Sequence, residues 1–146
     1  MEPQIRTGPI EYTVSGFSLR HDPGKKFGEE IMALLGRVWP AIKASGVSHD
    51  GINRVVYESD ERGCTVFAGV VLAGEALGME RKAVRLGRHA WWKHIGPYHL
   101  IAATGSAMTQ ALAARGVRLG SQMVEVYGHW NQDQSKLETE TFVAVV

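Results

Sequence analysis

The sequence predicts an α+β fold of two β-α-β-β units related by a pseudo-two-fold axis, with antiparallel strands and two long helices. Three observations predict it. Shifting the chain by 70 positions pairs Ala41 with Ala111, Ala44 with Ala114, Gly46 with Gly116, Val47 with Val117, Val56 with Val126 and Tyr57 with Tyr127. Each copy reads strand, helix, strand, strand. Each helix stops at a glycine, Gly46 in one copy and Gly116 in the other. Such self-similarity marks one supersecondary unit used twice. The units fall at about residues 10–72 and 82–146 of a single domain spanning 1–146.

The first strand is expected at Ile10–Leu19, where Ile10, Tyr12 and Val14 alternate with polar residues. A helix follows over Lys25–Ser45, with Phe27, Ile31, Leu34, Leu35, Val38, Trp39 and Ile42 forming an amphipathic stripe. Pro40 lacks a backbone donor and should bend this helix near Gly36. Strands at Ile52–Ser59 and Thr65–Leu72 flank the polar turn Asp60-Glu61-Arg62-Gly63. Ala73–Arg81 links the units. In the second, a strand is expected at Ala83–Ile95 and a helix at Pro97–Arg115, with proline in its first turn. Strands at Gln122–Trp130 and Thr139–Val146 close the chain, and Phe67–Val71 parallels Phe142–Val146. The second helix carries Ala102, Ala103, Gly105, Ser106 and Ala107, small residues that let a flat ligand approach.

Composition narrows the functional classes. A chain of 146 residues can bury a real core, and a net charge of +1 gives no reason to expect nucleic acid or an anionic membrane as partner. Cys64 stands alone, which excludes an intramolecular disulfide or a cysteine-based metal site. Met1–Pro9 lacks the pattern of a signal peptide, and no segment has the apolar length of a membrane span, so a cytoplasmic location is expected. His89, His94 and His99 are spaced by five, which suits neither a strand face nor a helical ligand pair, so no metal is expected. Ser48-His49-Asp50 reads as a polar loop, because consecutive residues cannot align nucleophile, base and orienter. No phosphate loop or dinucleotide fingerprint is present, and no cofactor is expected.

One position breaks the repeat: Val55 in the first copy corresponds to Glu125 in the second. Strand parity puts Met123, Glu125, Tyr127 and His129 on one face, matching Val55 and Tyr57, with Val124, Val126 and Trp130 on the other. An acid at an inward position is costly unless something uses it. A carboxylate flanked by two tyrosines suits an amphipathic cation, the charge meeting the acid and the rings holding the rest. The alternative is that Glu125 pairs with an internal Arg or Lys, or lies at a solvated strand edge; both readings stand at this point. Trp91 and Trp92 are adjacent, so their rings face opposite sides of the sheet. Trp39 lies on the helical stripe, and Tyr98 opens the second helix.

The turn His94-Ile95-Gly96-Pro97-Tyr98, the strand Val124-Glu125-Val126-Tyr127 and the helical Arg37-Val38-Trp39 together resemble the GyrI-like small-molecule-binding family. That family includes the effector-binding domains of bacterial multidrug-responsive transcription activators. The resemblance covers nearly the whole chain and implies a tandem β-α-β-β fold. It places the ligand carboxylate at Glu125 and its companion aromatic at Tyr127, with Tyr57, Trp39, Trp91, Trp92 and Tyr98 as further pocket positions. Many relatives are fused to a helix-turn-helix module; the first strand starts here by residue 10, so no direct DNA binding is expected. The leading expectation is a stand-alone protein binding hydrophobic or cationic aromatic small molecules. One competing class is a hydrolase of reactive cyclopropanoid metabolites using Glu125 as acid or base. Another is an interaction module for a protein such as gyrase. The related SOUL proteins add haem as a further alternative.

Overall fold

A computed structural model describes residues 1–146. The strands are β1 (Gln4–Arg6), β2 (Ile10–Arg20), β3 (Arg54–Asp60), β4 (Gly63–Val70), β5 (Glu80–Leu86), β6 (His89–Ile95), β7 (Leu119–Tyr127) and β8 (Glu138–Val145). The helices are α1 (Phe27–Ser45) and α2 (Ile101–Ala114). All eight strands form one antiparallel sheet in the order β1-β6-β8-β7-β3-β4-β2-β5. Outward from the centre, the order β3-β4-β2-β5 matches β7-β8-β6-β1, so the expected tandem β-α-β-β arrangement is present. The two copies meet where β3 pairs with β7, and there Val55 lies directly opposite Glu125. These residues are each other's repeat equivalents, so the local two-fold axis passes between them. Tyr57 and Tyr127, two residues further along each strand, are equivalent positions.

Helix α1 buries Ile31, Leu34, Val38 and Ile42 against the sheet and continues through Pro40 to Ser45. Gly46, at φ 68°, accepts the left-handed conformation that ends it, and its N–H donates to the Ile42 carbonyl. Helix α2 buries only Met108 and Leu112, packed with Ala90, Trp92 and Val143. Both helices lie on one face of the sheet. The other face is closed by the curl of the sheet itself: Val14, Val84 and Leu86 from one half pack with Val124, Phe142 and Ala144 from the other.

The structure corrects several sequence-based boundaries. The expected strand Ala83–Ile95 is two strands, and they go to different halves: β5 pairs with β2, whereas β6 pairs with β8. β1, a three-residue strand not foreseen, pairs with β6. The edge strands are thus exchanged between the units, each pairing away from the strand that follows it. The equivalence of the last strands also shifts by two residues, because Val55 faces Ala68 while Glu125 faces Thr141. Pro97 precedes a 3-10 turn at Tyr98–Leu100, and α2 starts only at Ile101. No helix is long and apolar enough to cross a membrane.

Candidate functional site

The paired strands β3 and β7 form a floor beneath the two helices. Asn53, just ahead of β3, lies opposite Tyr127, whose N–H donates to the Asn53 carbonyl at 3.0 Å. Val55 faces Glu125, and Tyr57 faces Met123. Above this floor is a cavity of about 990 Å³. Phe27, Ile31, Met32 and Leu35 of α1 form one wall, and Ile101, Ala102, Gly105, Ser106 and Thr109 of α2 form another. The small residues of α2 account for the width: a Cβ added at Gly105 would meet no atom within 4 Å. Phe27, Met32, Tyr98 and Trp130 are cavity-lining residues that remain exposed, the large apolar side chains of the mouth.

Glu125 is the charged group of the floor. It is 7 % exposed, on a central strand, and belongs to no ion pair. The alternative of an internal Arg or Lys partner, or of a solvated edge, is therefore set aside. Its partners are the two symmetry-related tyrosines. Tyr57 donates to Oε1 at 2.6 Å and Tyr127 donates to the same oxygen at 2.8 Å. Both bonds end on Oε1, and Oε2 makes no hydrogen bond within the protein. The asymmetry of the repeat explains why one acid suffices. Two carboxylates facing each other across the axis would repel, whereas Val55 leaves a single negative charge there.

Burial first, and then the charge of Glu125, pushes the Tyr57 and Tyr127 hydroxyls well above the ordinary tyrosine range. Both therefore stay protonated and remain donors across physiological pH. A raised folded-state value means that the unfolded chain releases these protons first, so stability is lost as pH rises above about 10. Urea midpoints should fall steadily between about pH 9 and 11.5 in the wild type. The fall should be shallower in Tyr57→Phe, which has one fewer buried hydroxyl. Parallel curves for the two proteins would contradict this assignment.

Of the seven residues singled out in the sequence, the structure brings five to the cavity: Tyr57, Trp92, Tyr98, Glu125 and Tyr127. Tyr98 stands edge-on to Tyr127 with ring centroids 5.5 Å apart. His94 holds the turn before Tyr98, with Nδ1 2.7 Å from the Thr104 hydroxyl and Nε2 3.0 Å from the Pro97 carbonyl. Trp39 and Trp91 lie elsewhere. Trp91 is on the opposite face of β6 from Trp92, donates to Glu140 at 2.7 Å and stacks under the Arg6 guanidinium. Trp39 packs beside the Val38, Ile42 and Val70 cluster and donates to Asn53 Oδ1. His129 and Trp130 both line the cavity despite opposite parity, because β7 ends at Tyr127. Asn53, Cys64 and Thr141 are lining residues not singled out in the sequence, whereas Met123 lines the cavity on the face where strand parity put it. The parity of Asn53 with Val55 and Tyr57 was the available signal for the first of these. No group of three His, Cys, Asp or Glu side chains is placed to hold a metal ion.

No family model and no curated protein matches the chain by sequence. Solved structures do match by shape. The C-terminal domain of EcmrR superposes with a TM-score of 0.75 at 16% identity, over 99% of this chain and 98% of that one. SAV2435, solved bound to tetraphenylphosphonium, superposes with a TM-score of 0.73 at 11% identity, over 100% of this chain and 94% of that one. The chain shares the fold of these two proteins, in keeping with the GyrI-like resemblance of its sequence. A hydrolase of Listeria innocua encoded by lin2189 superposes with a TM-score of 0.59 at 13% identity, over 99% of this chain and 92% of that one. At these identities the likeness concerns the fold alone; the side chains of the cavity belong to this chain.

Proposed function

We propose that this chain binds amphipathic, cationic aromatic small molecules in the cavity between α1 and α2, with Glu125 as counter-ion. The observation that carries this reading is a buried carboxylate with one oxygen held by two tyrosines and the other unpartnered at the cavity wall. An uncompensated buried charge is expensive, and a bound cation would relieve that cost. Tyr57, Tyr127, Tyr98 and Trp92 offer ring faces and edges around the same space, and each cation–π contact is worth about 0.5–2 kcal/mol. A volume of about 990 Å³ suits a bulky ligand with several rings. The tetraphenylphosphonium bound to SAV2435 is a ligand of this chemistry.

The test compares tetraphenylphosphonium with neutral triphenylphosphine oxide by calorimetry and thermal melting. At a hundredfold excess over Kd the cation should stabilise the protein by about 2.7 kcal/mol, a rise of about 5–10 °C in Tm. The neutral compound should do far less. Equal effects, or none, would reject the proposal. The Glu125–tyrosine arrangement beside an apolar cavity also supports a second reading, hydrolysis of a reactive hydrophobic metabolite with Glu125 as acid or base. Its readout is turnover of a cyclopropane-bearing substrate that Glu125→Gln abolishes.

A further inference from the structure

Trp39 donates its indole N–H to the side-chain oxygen of Asn53 at 2.9 Å. Indole nitrogen is only a donor, so the Asn53 atom that meets it must be the carbonyl oxygen. This fixes the amide orientation by chemistry alone. The NH₂ group then points away from Trp39 and takes part in no hydrogen bond within the protein, and it is not among the buried unpartnered atoms. Asn53 lines the cavity and sits on the floor opposite Tyr127, diagonal to Glu125. Diagonal neighbours on a sheet face stand about 7–8 Å apart. The Trp39 ring is itself held edge-on by His49, with centroids 5.0 Å apart.

We infer that Asn53 is a specificity-determining donor, oriented by Trp39, that selects cations carrying a hydrogen-bond acceptor such as a carbonyl or ether oxygen. This deepens the proposed function and rests on it. The charged centre would sit at Glu125, and the acceptor would lie within roughly 7–8 Å of it, over Asn53. Trp39 never meets the ligand; it is a positioning residue that keeps the amide from turning its oxygen toward the cavity. An aromatic cation without an acceptor would leave the Asn53 NH₂ facing apolar atoms and lose that hydrogen bond.

Two phosphonium probes of matched shape and charge test this: (4-acetylphenyl)triphenylphosphonium, which bears a carbonyl, and (4-isopropylphenyl)triphenylphosphonium, which does not. The wild type should prefer the acetyl compound by roughly two- to tenfold, the range of one net hydrogen bond. Asn53→Asp keeps an oxygen for Trp39 but has no NH₂, and Asn53→Leu removes both groups. Each should bring the preference to about one while still binding the isopropyl compound. Trp39→Phe should reduce the preference without touching the cavity wall. Because both probes carry the same charge, their ratio is insensitive to the extra carboxylate that Asn53→Asp introduces and to a general loss of stability. Binding of both phosphoniums with no acetyl preference, or a preference that survives both Asn53 variants, overturns the Asn53 assignment and leaves the counter-ion role of Glu125 standing. If neither phosphonium binds wild type, both readings are rejected together.

Discussion

Gly16→Ala should cost roughly 3 kcal/mol or more of folding free energy, a large part of the 5–15 kcal/mol typical of a domain. Gly16 on β2 pairs with Gly69 on β4. A Cβ built at Gly16 falls 1.9 Å from the Ala68 carbonyl oxygen, and one built at Gly69 falls 2.0 Å from the Ser15 carbonyl oxygen. Both obstacles are backbone, which cannot rotate away as a side-chain end can. Neither glycine has a positive φ, so the requirement is space between two strands and not an unusual backbone conformation. Gly36→Ala is the control. Its Cβ meets nothing within 4 Å on the exposed side of α1, and helix propensity favours alanine by about 0.5–1 kcal/mol. Urea unfolding should therefore move the midpoint down sharply for Gly16→Ala and slightly up for Gly36→Ala. An unchanged midpoint for the first would mean that β2 and β4 are not as close as described.

The central part of the site was legible in the sequence because it depends on local parity and on the repeat. An acid at the position where the other copy has Val55 stands out in an alternating strand, and parity alone carries Tyr127 to the same face. Strand partnership was less legible. Gly87 interrupts the run Glu80–Ile95, yet nothing local says that β5 joins β2 while β6 joins β8. β1 is three residues long and gives no periodicity to read. The tryptophans show a related limit. Adjacency settles that Trp91 and Trp92 face opposite sides, but only the placement of the helices says which side holds the cavity. For Trp39, position on the apolar stripe led to the pocket expectation, but the ring is half-buried beside Val38, Ile42 and Val70 and away from the cavity, and its contact with Asn53 depends on a loop whose path the stripe does not encode. Cys64 faces the cavity because Ser59 pairs with it at the end of the β3–β4 hairpin, a register set by the turn.

Glu125→Gln should weaken tetraphenylphosphonium binding by about 2–3 kcal/mol, roughly 30- to 150-fold, while changing the affinity of a neutral compound of similar shape only slightly. The substitution keeps the size of the side chain and an oxygen able to accept from Tyr57 and Tyr127, so what it removes is chiefly the charge. Two opposing effects bear on stability. Hydrogen bonds to a neutral amide are weaker than those to a carboxylate, but the apo protein no longer buries a charge that lacks a cationic partner. These should nearly cancel, leaving the urea midpoint within about 1 kcal/mol of wild type. A structural ion pair would behave otherwise, since losing one partner of a buried pair costs about 3–5 kcal/mol. The two measurements therefore read different things from one variant. A lost preference for cations with stability retained assigns Glu125 to the ligand. A cation affinity that survives the substitution would remove the counter-ion from the proposed function and leave the cavity as a neutral apolar site.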